Sequence, residues 1–299
     1  MSDPHANQIS RRDLLRYSAL GLAAVGGGSF LSACSTTDAG NPNAVAGGLS
    51  QRVEDGEPVR MVIGNEPPYT KLLPNGDVTG AEPDVAKAVL KRLGVTDVEA
   101  ITAGYDAMIP GLDADRWDMV AAGLFMNKSR CADVIYSSPV IVSTESLAVP
   151  SGNPQGLSTL DDVRKGDVKV AVLAGGFELK TSLALGIPES KLPTYPLAPD
   201  AMQALEDGRV DAVLLPTLTL QSLSEQMTGF EISPPLDEFP KTGSGEAFRK
   251  SDQDFFVKYN KELEAFKKTP EFDKTLAKWG FSGAAARDAT TKELCATEG

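Results

Sequence analysis

The chain has 299 residues, 41% of them hydrophobic and 23% charged, ordinary proportions for a folded protein of one large or two medium domains. A formal net charge of -12 argues against a nucleic-acid partner, which would need basic patches. The one histidine is His5 and there are three cysteines, so loss of the N-terminus would exclude Ser-His-Asp and Cys-His catalysis and disfavour a zinc or iron site, leaving calcium and carboxylate chemistry open.

The N-terminus reads as an address. Ser10-Arg11-Arg12-Asp13-Leu14-Leu15-Arg16 resembles a twin-arginine export signal. The apolar, glycine-rich stretch from Tyr17 to Phe30 is shorter than the roughly 20 residues of a spanning helix and suits the core of a signal peptide. Leu31-Ser32-Ala33-Cys34 then resembles a bacterial lipobox, in which the cysteine is acylated and becomes the new N-terminus. This predicts a signal peptide over 1–33, lipidation at Cys34 and a flexible Gly/Ser/Asn-rich tether over 34–57. Cys131 and Cys295 remain; outside the membrane such a pair commonly forms a disulfide, which would pin the C-terminal tail to the body, the alternative being two buried thiols.

From residue 58 strands and helices alternate. Val59 to Ile63 is a short apolar strand, and Pro83 to Leu93 a helix whose Val85, Ala86, Val89, Leu90 and Leu93 share a face before Gly94 ends it. Met119 to Ala122 reads as a buried strand and 140–149 as extended chain. Ser158 is expected to cap the next helix, and Lys169 to Leu173 is a strand ending in Ala174-Gly175-Gly176. Helices over 252–267 and 270–279 carry Phe255, Phe256, Phe266, Phe272 and Trp279, residue types found more often in cores than in sites. Strand–helix alternation indicates an α/β fold with largely parallel sheets. An internal echo points to two lobes: Asp106-Ala107-Met108, then Arg116, Asp118 and Val120, answered by Asp200-Ala201-Met202, then Arg209, Asp211 and Val213. The match is short enough to be a generic helix-to-strand connection.

Ligands of open α/β sheets sit beyond the carboxyl ends of strands. Those ends carry Asn65-Glu66-Pro67-Pro68-Tyr69, Tyr105, Gly123 and Phe125 with Arg130, and Gly175-Gly176-Phe177. Each has a plainer reading: Glu66 as a loop acid, the aromatics as core, Arg130 as half of a surface ion pair. Together they suit a small zwitterion. Arg130 can clamp a carboxylate through two parallel hydrogen bonds. Glu66 supplies a counter-charge to a diffuse cation, and aromatic faces add about 0.5–2 kcal/mol each. Gly175 and Gly176 would let backbone N–H groups at a helix start approach the ligand.

These segments, with Ala122-Gly123-Leu124-Phe125-Met126, Arg130-Cys131, Gly152-Asn153-Pro154 and the tail Thr290-Thr291-Lys292-Glu293-Leu294-Cys295, resemble the family 3 extracellular solute-binding proteins over about 58–282. Within that family the similarity is greatest to binders of ectoine and hydroxyectoine. The resemblance implies a type II periplasmic-binding-protein fold, with lobe 1 over 58–148 plus 244–299, lobe 2 over 149–243, and crossover strands near 146–152 and 240–247. It implies that Glu66 meets the ring nitrogens of a cyclic amidinium, that Tyr69, Tyr105 and Phe125 form an aromatic box, and that Arg130 takes the carboxylate. Tyr69 stands where phenylalanine is expected. Amino-acid binders of the family place an acid after a later strand of lobe 2; Val213-Leu214-Leu215-Pro216-Thr217 has none, which suits a ligand without a primary amine.

The expected protein is thus a monomeric, non-enzymatic capture subunit, held outside the cell membrane by a lipid anchor and serving an ABC permease, with no catalytic residue, metal or cofactor assigned. Two alternatives on the same fold are a polar amino acid binder and a cyclohexadienyl dehydratase-like enzyme using Glu66 as general acid or base. The enzyme is disfavoured because no second acid is evident at the other strand ends. A sensor subunit would capture its ligand identically.

Overall fold

The computed structural model describes residues 48–298. Residues 1–47, and with them the twin-arginine motif, the lipobox and Cys34, lie outside the described residues. The chain forms two α/β lobes, each around a five-stranded mixed sheet. In lobe 1 the order is Val98–Thr102, Val59–Ile63, Met119–Val120, Ala247–Phe248, Ile135–Tyr136; the first three run parallel, and Ala247–Phe248 is antiparallel to its neighbours. In lobe 2 it is Thr194–Tyr195, Val170–Leu173, Ala212–Pro216, Glu145–Pro150, Phe230–Ile232. Central strands such as Val170–Leu173 and Ala212–Pro216 are buried at every position, as expected where helices cover both faces of a sheet.

The echo between the lobes has a common mechanism. Asp118 accepts the backbone N–H of Arg60 through Oδ2 at 2.9 Å, and Asp211 accepts that of Lys169 at 2.8 Å. The amide of each aspartate donates back to the carbonyl of the same partner at 2.8 Å. Each aspartate thereby pins the start of a neighbouring strand. In lobe 1 the carboxylate carries more: Arg60 and Arg249 both reach the fully buried Asp118, and the Arg60 side chain bonds hold its carboxyl below the usual range against the opposing effect of burial.

Three sequence expectations shift. The tether does not run to residue 57: Gly48–Glu54 is a helix whose buried Leu49 packs into lobe 1, its amide donating to Asp252 at 3.0 Å. The first crossing between lobes falls near 143–144 instead of 148, because Glu145–Pro150 pairs antiparallel with Ala212–Pro216 and belongs to the second sheet. The helix Leu160–Lys165 is capped by Thr159, one residue after Ser158, since Thr159 and Asp162 close a reciprocal capping box. Ile141–Ser143 and Thr242–Ser244 pair antiparallel as the two connectors between lobes. Cys131 and Cys295 are joined by a disulfide, with Cα atoms 5.8 Å apart. No described helix is long and apolar enough to cross a membrane.

Candidate ligand-binding site

A void of about 250 Å³ lies between the lobes, lined by Glu66, Tyr105, Gly123, Phe125 and Arg130 from lobe 1 and by Leu173, Gly176, Phe177, Glu178 and Pro216 from lobe 2. The space is small, so its occupant must be small.

The loop after Val59–Ile63 closes on itself: Glu66 N–H donates to Thr70 Oγ1 at 3.1 Å and Thr70 N–H to the Glu66 carbonyl at 3.0 Å. That fixes the Glu66 side chain in the cleft at 5% exposure. Tyr105 donates to its Oε2 at 2.8 Å, and Thr219, from the helix Thr217–Ser224 of lobe 2, donates to Oε1 at 2.7 Å. Burial pushes the Glu66 carboxyl up, and the Thr219 and Tyr105 hydroxyls pull it part of the way back. Burial and the charge of Glu66 push the Tyr105 phenol well above its usual range, so it stays a neutral donor.

Arg130 is 5% exposed, on the short helix Lys128–Asp133 capped by Asn127, whose Oδ1 accepts the Arg130 amide at 2.8 Å. Its Nη1 donates to the Phe125 carbonyl at 2.6 Å and its Nη2 to the Gly175 carbonyl at 2.7 Å. A guanidinium has five N–H donors in a fixed fork, so two carbonyls leave donors for a carboxylate. The second bond crosses from lobe 1 to lobe 2.

Phe125 stands edge-on to Phe177 at 5.8 Å and to Tyr69 at 5.7 Å. Tyr69 is buried, but it backs Phe125 and does not itself line the void; its hydroxyl hydrogen-bonds to Ser143 in the connector. The hydroxyl that distinguishes it from phenylalanine is therefore spent on the connector. Gly123 has φ +70°, and a Cβ there would come within 2.8 Å of the Tyr69 ring, so both backbone and packing require glycine. Its amide donates to the buried Glu82 at 2.7 Å.

The glycine turn differs from expectation. The Gly176 amide turns back to the Leu173 carbonyl at 3.0 Å, and Gly175 serves the site through its carbonyl, which accepts from Arg130. Gly175, with φ +68°, also packs directly on the backbone of Asp106 in the opposite lobe.

Two lobe 2 side chains escape a reading of strand ends. Thr219 lies on the helix after the strand end, and no sequence signal singles out that hydroxyl. Glu178 follows Phe177 directly and is 4% exposed at the void. Burial, then the charge of Glu66, pushes its carboxyl up to about 7. The expectation that no second acid faces the cleft is thereby corrected: Val213–Thr217 indeed brings none, but the first turn of the helix Phe177–Ala184 does.

Residues 59–282 match the bacterial extracellular solute-binding proteins of family 3. A probable amino-acid ABC transporter periplasmic-binding protein of Sinorhizobium fredii is 35% identical over 248 residues, covering 79% of this chain and 82% of that protein. An L-cystine-binding protein of Escherichia coli is 26% identical, covering 72% and 79%. Among solved structures, the complex of EhuB with hydroxyectoine is similar at 38% identity and a TM-score of 0.79, covering 83% of this chain and 98% of that one. An ancestral amino acid-binding protein described as a precursor of cyclohexadienyl dehydratase aligns at 27% identity and TM-score 0.69, covering 77% and 98%.

Proposed function

Because the chain belongs to the bacterial extracellular solute-binding proteins of family 3, we propose that its ligand is a small zwitterion of the ectoine and hydroxyectoine type, captured between the lobes. The chain is an ABC-transporter solute-binding protein of the type II periplasmic-binding fold. The observation that carries the ligand reading is that a guanidinium and a carboxyl, both nearly solvent-free, open onto one aromatic-walled void. In this reading Arg130 grips the carboxylate with a two-pronged hydrogen bond. Glu66 faces the delocalised cation, Tyr105, Phe125 and Phe177 enclose it, and Tyr69 holds Phe125 in place. The similarity to a hydroxyectoine complex supports the same ligand class. Capture is a hinge closure about the paired connectors, with ligand stabilising the closed form.

Calorimetric titration with ectoine, hydroxyectoine, proline betaine, arginine and glutamine tests this. Ectoine should bind with a Kd in the micromolar range or tighter, about -8 kcal/mol or better. Binding should vanish in Arg130→Ala and weaken strongly in Glu66→Ala. Tight arginine or glutamine binding with no ectoine binding would replace the ligand.

A second reading, a polar amino acid ligand, is favoured by Glu178, which adds an acid able to face an ammonium, and by relatives named as amino-acid binders. The same pair of acids removes one objection to a dehydratase-like enzyme; turnover of prephenate or arogenate would establish it. The order of the N-terminal motifs supports twin-arginine export and anchoring through Cys34. Metabolic labelling with a fatty-acid analogue should mark the parent and not Cys34→Ala.

A further inference from the structure

Glu178 does not act alone. Behind it, at the point where the connector Ile141–Ser143 becomes the first strand of lobe 2, lies Glu145, 1% exposed. The two carboxyls are within hydrogen-bonding reach of each other. Thr242, from the other connector, approaches Oε1 of Glu145 at 3.3 Å, while Oε2 is buried with no donor among the described residues. Two carboxylates cannot hydrogen-bond to each other; a shared proton satisfies the orphaned oxygen and removes one of two like charges.

We propose that Glu145 and Glu178 hold one proton between them, and that Glu178 takes up a second when a net-neutral zwitterion enters the cleft, so that ligand capture is coupled to proton uptake. The inference rests on the reading of this cleft as the ligand site.

Charge balance in the cleft calls for the second proton. With Glu145 neutral, the groups facing the void are Arg130, positive, and Glu66 and Glu178, each able to be negative; the phenols of Tyr69 and Tyr105 are neutral. A zwitterion adds no net charge and expels water. An uncompensated carboxylate would then remain buried, which is costly, and a proton cancels it. Glu66 is the poorer acceptor of that proton, because both its oxygens already accept hydroxyl donors. Glu178 ionises near neutrality, where such uptake is possible. A ligand of net charge +1 would balance the site with no proton, so the dyad also makes ligand-charge preference pH-dependent.

Two measurements test this. Carbon-13 titration of glutamate carboxyls in the ligand-free chain should show Glu178 ionising near neutrality and Glu145 later; both ionising in the ordinary range near 4 would overturn the dyad, whatever the ligand proves to be. Ectoine titrations in buffers of different protonation enthalpy should show net proton uptake approaching one per ligand at about pH 8, with affinity falling roughly tenfold from about pH 6 to about pH 8. Glu178→Gln should abolish both uptake and slope. Glu145→Gln, which keeps a donor toward Glu178, should retain them. A slope surviving unchanged in Glu178→Gln would overturn the proposal. If ectoine does not bind at all, the ligand reading fails while the carboxyl titration still decides the dyad.

Discussion

A methyl group at position 175 would meet backbone, not a side chain that can swing away. An alanine Cβ there would lie 2.5 Å from the Asp106 nitrogen and 2.6 Å from its Cα, at the start of a helix in the opposite lobe. Restoring ordinary contact at 3.4 Å requires the two segments to part by roughly 1 Å. The Arg130 Nη2 bond to the Gly175 carbonyl, now 2.7 Å, would then pass beyond hydrogen-bonding range. Hydrogen bonds from charged donors contribute about 1.5–3 kcal/mol, so closed-state affinity in Gly175→Ala should fall by roughly 10–150-fold. The left-handed backbone, φ +68°, adds about 1–2 kcal/mol of strain for any L side chain, which lowers thermal stability with or without ligand. Calorimetry gives the affinity and solution scattering the closure. Parent-like affinity together with a fully ligand-compacted scattering curve would mean that the methyl group is accommodated without parting the lobes.

Asp118→Ala should destabilise the fold by about 1.5–3 kcal/mol, because it removes the charged hydrogen bonds that Arg60 and Arg249 make to a buried carboxylate while Asp115 and Asp252 still pair with the two guanidinium groups; denaturant melts check this without ligand. Stability should fall as pH rises from about 4.5 to about 8. Burial and the nearby Glu82 raise the Glu246 carboxyl to about 8, so its contribution is full below its unfolded value and is lost as pH climbs through the folded one; Glu66, Glu82, Glu145 and Glu178 shift in the same direction. Asp118 works oppositely, but in a window below 3.8. Melting temperatures across pH should show this fall, with Glu246→Gln flattening part of it, whereas a level profile in the parent would contradict the assignment. Cys295→Ser should cost about 2–5 kcal/mol, since the bridge closes a separation of 164 residues. Equal melting temperatures with and without reductant would contradict it.

Much of this architecture is legible in the residues because the relevant signals are local. Val59–Ile63 falls where an apolar run predicts it, and the helix Gln253–Phe266 where aromatics recur at helical spacing. Strand ends announce Glu66, Tyr105, Phe125 and Arg130, and the structure brings all four to one void. The connector falls a few residues from its expected place, because an extended stretch such as 140–149 carries no local mark of which sheet it will join; pairing with Ala212–Pro216 decides that. Glu178 escapes notice for a related reason. A search confined to strand ends stops at Gly176-Phe177, while the helix start turns the next side chain into the cleft. Tyr69 illustrates the reverse: residue type and place suggest a wall of the box, but packing sets it one layer back, behind Phe125.

Whether one cleft holds a dipolar molecule by its two ends is decided by a crystal structure of the ectoine complex. The ligand carboxylate should lie on the guanidinium of Arg130 and the ring nitrogens toward Glu66, between Tyr105, Phe125 and Phe177. A ligand bound with its carboxylate away from Arg130, or seated outside this void, would contradict it.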